Sequence, residues 1–156
     1  MLDSYKRATK RDWAMLPLRM MIGFGFAAHG YAKLNRGPAS FAVILSAIGV
    51  PAPGLMAWVT SLLEVVGGVS IMIGEFVVPL SVPLIVVMLT AMFSVHFQNG
   101  YSTIKLKSVT ASGAEFGAPG YEMNLLYVAG LLTLALGGPG PRSLEQWRRK
   151  RKRPRN

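Results

Sequence analysis

Four apolar runs divide the chain, at residues 13–34, 54–73, 77–97 and 121–136. At ~1.5 Å per residue the first three match the ~30 Å hydrocarbon core of a bilayer, and the last is the shortest. Each reads as a membrane-spanning helix. The second and third are joined only by Gly74, Glu75 and Phe76, which makes them a tight antiparallel pair. Residues 40–50 set Phe41, Ile44, Leu45 and Ile48 at helical spacing between Gly37-Pro38 on one side and Pro51, Pro53 and Gly54 on the other. That segment is too short to span and predicts a helix lying in the outer interface. Residues 98–120 are polar, end in Gly-Ala-Pro-Gly, and read as a lid over the outer face. The predicted fold is all-α: an integral membrane four-helix bundle with a short interfacial helix in its first outer loop.

Charge orients this bundle. Only 15% of residues are charged against 51% hydrophobic, yet the net charge is +10. Twelve of the seventeen Lys and Arg fall in the two terminal segments, 1–12 and 141–156, which flank the membrane domain 13–140. An even number of spans puts both termini on one side, and the positive-inside rule makes that side cytoplasmic. The tail bases Arg148, Arg149, Lys150, Arg151, Lys152 and Arg153 directly follow a span and a Pro-Gly linker. They are expected to hold anionic lipid headgroups rather than nucleic acid. Trp13 and Trp147 flank the bundle on that side as interface anchors. The first apolar run is longer than a signal-peptide core, and its cleavage would put the basic tail on the wrong side. Without cysteine, the chain has no disulfide, thiolate cluster or thiol chemistry of its own.

The polar residues inside the spans carry the chemistry. Glu64 lies ten residues into the second span, near the midplane, on a face with Thr60, Ser61, Gly67 and Gly68. A carboxylate at that depth needs a partner or a proton. A structural role is open to it: Gly67-Gly68 admits a neighbouring helix, and Glu64 would tie the bundle to Arg19 or to a backbone carbonyl. His29 and Lys33 are four residues apart and share a face with Gly25. His96 sits at the outer end of the third span on a stripe with Met88 and Met92, and Glu122, Asn124 and Tyr127 open the fourth. Together with Tyr31, Gln98 and Asn99 these groups are expected at one outer level, with Glu64 as a deeper floor.

Several motifs in order resemble the DoxX family. They are L-R-x-x-x-G-x-x-F-x-x-H-G-x-x-K-L from Leu18, E-x-x-G-G-x-x-x-x-x-G from Glu64, His96, E-x-x-L-L-Y from Glu122 and G-P-G-x-x-S-L from Gly138. The likeness covers residues 18–144 and leaves out the basic tail; the acidic residue after the closing Ser-Leu is Glu145. It implies a four-helix protein of the bacterial cytoplasmic membrane, associated with oxidoreductases. Relatives include the membrane subunit of thiosulfate:quinone oxidoreductase, and others are linked to quinone or thiol stress and to soluble redox partners. The matched positions are Arg19, His29, Lys33, Glu64, Gly67, Gly68, His96 and Glu122.

The expected function is therefore a quinone or quinol headgroup site at the outer end of the bundle. His29 and His96 would bind or exchange protons with the carbonyls, Lys33 would stabilise a developing anion, and Glu64 or Glu122 would relay the proton. Arg19 and Tyr127 complete the candidate ligand-binding set. No residue stores electrons, so a soluble or membrane redox partner is implied; no covalently bound cofactor and no metal is expected, and homo-oligomerisation is left open. A non-enzymatic scaffold or assembly factor for soluble redox proteins stands beside this reading. Haem or metal on His29 and His96, and solute transport, are the remaining alternatives, one lacking a close-spaced ligand motif and the other an internal repeat.

Overall fold

The computed structural model describes residues 13–152, and it is mostly helical. Helix α1 runs Met15–Arg36 and stops at Gly37; Pro38, which has no N–H to satisfy, then opens α2, Pro38–Ala47. Pro53 opens α3, Pro53–Ile73, in the same way. Gly74 ends α3 in the left-handed conformation, with its N–H on Ile71 O and the Glu75 N–H on Ser70 O, a glycine cap that reverses the chain sharply. Helix α4, Val77–Ala91, follows at once. It continues through a π turn at Met92–His96 and a 3₁₀ turn at Phe97–Asn99. Helix α5 is Glu122–Gly137, and α6 is Leu144–Lys152. The expected helices are therefore present, with ends shifted by at most three residues when α4 is counted through its π and 3₁₀ turns, and the segment expected to lie in the interface is helical.

The all-α expectation is corrected between α4 and α5. Strands β1, Leu106–Thr110, and β2, Gly113–Phe116, pair antiparallel as a hairpin. Val109 and Thr110 favour the extended chain, Gly113 turns it at a positive φ, and Ser108 Oγ donates to Glu115 Oε2 at 2.9 Å. Most of the hairpin is exposed, so what holds it is its ladder and its base. There Gly120 N–H donates to Ser102 O, Tyr121 N–H to Gly100 O and Glu122 N–H to Tyr101 O.

Helix α1 packs along α3 and α5 along α4, while α1 against α5 and α3 against α4 close the circuit; α2 lies on α3. The α1–α3 contact is backbone on backbone. A Cβ on Gly68 would meet Ala27 N and Gly23 O at 2.5 Å, and one on Gly30 would meet Ser61 O at 2.7 Å. Ile22, Phe26, Ile71, Val77, Leu84, Leu131 and Leu134 fill the space between the helices.

The outward faces are as apolar as the core. Phe24, Val66, Val82, Val86 and Leu132 are exposed, while Ser61, Glu64, Ser81 and Asn124 are buried. This inverts the pattern of a water-soluble helical protein and matches a body surrounded by lipid, where small and polar residues mediate helix contacts. Two helices are long and apolar enough to cross a membrane, Pro53–Ile73 and Val77–Asn99. Helix α5 is shorter, at 16 residues, and α1 carries Arg19, Lys33 and Arg36.

Candidate functional site

The charged groups sort to the two ends of α1. Near its last turn, Lys33 Nζ donates to both carboxylate oxygens of Glu64 on α3, at 2.6 and 2.7 Å. The close α1–α3 approach makes this possible: Gly30, one turn before Lys33, lies against Ser61 O and Glu64 Cβ, so nothing stands between the two backbones. Glu64 is 1% exposed and the Lys33 side chain 26%, so the pair has one buried member and one at the rim. Phe41 of α2 covers the rim, its ring 4.6 Å from Lys33 Nζ, a cation–π contact that holds the ammonium in place. Glu64 thus has a partner, and it is Lys33 rather than Arg19.

The other candidates occupy distinct settings. His29 is exposed, one turn before Lys33. The Tyr127 hydroxyl sits where a Cβ on Gly25 would be, and its ring meets Phe26 edge-on at 5.2 Å. The π turn presents His96 toward the loop, where Nδ1 is 3.2 Å from Pro119 O, and Asn99 Nδ2 donates to the same carbonyl at 3.1 Å. Glu122 Oε2 accepts the Thr103 N–H at 3.0 Å. Asn124 is buried and donates to Met88 O at 3.3 Å, just before the π turn. The structure therefore joins Lys33 to Glu64 and brings His96, Asn99 and Glu122 to the base of the hairpin. It leaves His29 at the surface. Among the described residues, no three His, Asp or Glu side chains converge as a metal site would require.

Arg19 belongs to the opposite end. It is 2% exposed and donates to Pro139 O and, at 2.9 Å, to Arg142 O, so it fastens the linker after α5 rather than the outer groups. A second tie, unforeseen from sequence, reinforces it: Arg148 pairs with Glu75 in the α3–α4 turn, and Glu145 N–H donates to Gly74 O at 3.3 Å. Between Glu64 and Lys105 the sequence has no Asp, Glu, Lys or Arg except Glu75, and that isolation in a sharp turn, with a basic tail to answer it, was the available signal. Replacing Glu75 by Gln is expected to loosen α6, and limited trypsin digestion of the purified protein should cleave the tail several-fold faster than in wild type. Arg148, expected to hold lipid, pairs with Glu75 while its side chain stays more than half exposed. The expectations for residues 1–12, for Arg153 and for the side chains of Arg149, Lys150 and Lys152 lie outside the described residues.

Comparison with known proteins agrees with the motifs of the first three spans, while those from Glu122 and Gly138 lie outside the match. The family model described as DoxX matches residues 14–97, which takes in α1 to the π turn and with them Arg19, His29, Lys33, Glu64 and His96. No curated protein and no solved structure matches the chain.

Proposed function

The chain belongs to the DoxX family, a family of membrane proteins, and from that premise we propose that it binds a quinone or quinol headgroup as the membrane subunit of an oxidoreductase. In this reading α1, α3, α4 and α5 cross the bacterial cytoplasmic membrane as a four-helix bundle with both termini cytoplasmic. Helix α2 lies in the outer interface. The apolar outward faces and buried polar contacts support the crossing, and the basic ends support the orientation.

One observation carries the functional part: the Lys33 ammonium is bound to a buried carboxylate while the Lys33 side chain stays partly exposed, beside the Phe41 ring and one turn from the exposed His29. A headgroup suits that edge, because a carbonyl can accept from the third N–H of the ammonium, the other two being on Glu64, and a flat ring can lie against Phe41. When bound, a quinone would accept two electrons and two protons. Lys33 would orient one carbonyl and His29 would pass one proton to it, the second coming from water at the exposed rim, while Glu64 holds Lys33 in place. The chain has no electron store of its own, so a redox partner would supply the electrons.

A scaffold or assembly role for soluble redox proteins has its own support. His96, Asn99 and Glu122 are all engaged with loop backbone, so those groups build the outer surface rather than a pocket. Mass spectrometry of the organic extract from protein purified in mild detergent separates the two. A near-stoichiometric quinone in wild type, lost in folded His29→Ala and Glu64→Gln, is expected. Background quinone in all three would give the scaffold the better case.

A further inference from the structure

At the Arg19 end an open hollow of about 380 Å³ is lined by Arg142, Ser143, Leu144 and Trp147. We propose that this hollow is a discrete binding site for the phosphodiester headgroup of an anionic phospholipid, with Arg142 and Arg151 as its cations and Trp13, Leu144 and Trp147 as its apolar surround. It rests on the membrane reading above but not on the quinone site, which lies at the other end of α1.

The hollow is open, and the backbone that forms it is tied down. Arg19, buried, holds the carbonyls of Pro139 and Arg142, and Ser143 packs where any side chain on Gly74 would clash. The Ser143 hydroxyl accepts the Gln146 N–H at 3.2 Å, which starts α6, and the Arg148–Glu75 pair fixes that helix to the α3–α4 turn. These ties hold Arg142 at φ +53°, a left-handed conformation that a non-glycine residue adopts only where its surroundings impose it.

The cations beside the hollow lie against aromatic rings. The Arg142 guanidinium lies 5.1 Å from the Trp13 ring centre, and that of Arg151 lies 3.8 Å from the ring of Trp147. A guanidinium over a ring face is held in place by the ring, and its planar N–H fork matches two phosphate oxygens. Arg148, by contrast, pairs with Glu75. Trp13, Leu144 and Trp147 are 40%, 37% and 49% exposed, which places an apolar strip beside the two guanidiniums. Indole rings with adjacent bases are the side chains of a membrane interface, and a phospholipid supplies both halves of the match: an anionic headgroup for the arginines and glycerol-acyl carbons for the strip.

The test uses the full chain in mild detergent and native mass spectrometry with equal amounts of phosphatidylglycerol and phosphatidylcholine. Wild type is expected to retain one phosphatidylglycerol with a preference of about tenfold, and Arg142→Gln/Arg151→Gln to retain the two lipids within about twofold of each other. Both arginines are at the surface, and an unchanged melting temperature verifies that the variant is folded. Arg142→Lys/Arg151→Lys should keep part of the preference, since charge remains while the planar fork is lost. Equal retention of both lipids by wild type, or an undiminished preference in the glutamine variant, overturns the site. So does displacement of the lipid by millimolar glycerol phosphate, or by a short RNA, at matched charge. Carbonate extraction of membranes is run in parallel: release of the chain would overturn the membrane reading itself, whereas retention without lipid preference removes only this site.

Discussion

Replacing Gly68 by Ala is expected to lower stability by about 3 kcal/mol, whereas the same change at Gly67 should stay within about 1 kcal/mol of wild type. The two glycines are adjacent on α3 and differ only in what they face. A Cβ on Gly68 would overlap Ala27 N and Gly23 O, both main-chain atoms of α1, so no rotamer change relieves it and the helices must separate. Separation would also lengthen the Lys33–Glu64 contact, which depends on the same close approach. A Cβ on Gly67 meets Leu84 Cδ1 at 3.3 Å, the end of a flexible side chain, and alanine's better helix propensity offsets the crowding. Thermal unfolding in mild detergent should show Gly68→Ala lowered by roughly 10 °C and Gly67→Ala little changed. Equal losses at both sites would mean that α1 does not cross α3 at Gly68.

That crossing was legible in the sequence in one respect and hidden in another. The Gly67-Gly68 pair next to an intramembrane Glu announces that some helix comes close, because small residues are what bring backbones together in lipid. Which glycine meets which helix depends on a rotation of ~100° per residue about the α3 axis, and an all-apolar outer face leaves that rotation unmarked. The partner expected for Glu64, Arg19 or a backbone carbonyl, was wrong because depth decides it: Arg19 and Lys33 lie at two ends of α1, and the antiparallel course of α3 brings Glu64 to Lys33. The helices themselves were legible because Gly-Pro boundaries and length mark them. The hairpin was not. Leu106–Thr110 and Gly113–Phe116 are short, mixed and mostly exposed, so no alternation survives to distinguish them from a loop. The π turn at Met92–His96 is likewise silent in sequence, since one extra residue in a helical turn leaves composition unchanged.

Lys33→Met is expected to destabilise the protein by about 3 kcal/mol, Glu64→Leu by about half as much, and Lys33→Met/Glu64→Leu to return within about 1 kcal/mol of wild type. The asymmetry follows from burial. Removing Lys33 leaves a carboxylate that is 1% exposed with no counter-ion, on a helix whose surroundings are apolar. Removing Glu64 leaves an ammonium already 26% exposed near the end of α1, where its four-carbon stem can carry it to the interface. The double apolar variant has neither desolvated charge, and methionine can fill the space beneath Phe41. Melting temperatures of the four proteins measure the cycle, and an equal loss from either single change would show that both members are equally buried. The double variant also separates structure from function. If it is as stable as wild type and still loses bound quinone, the pair serves the ligand; if it keeps the quinone, the pair serves only to join α1 to α3, and His29 with Phe41 must hold the headgroup by themselves.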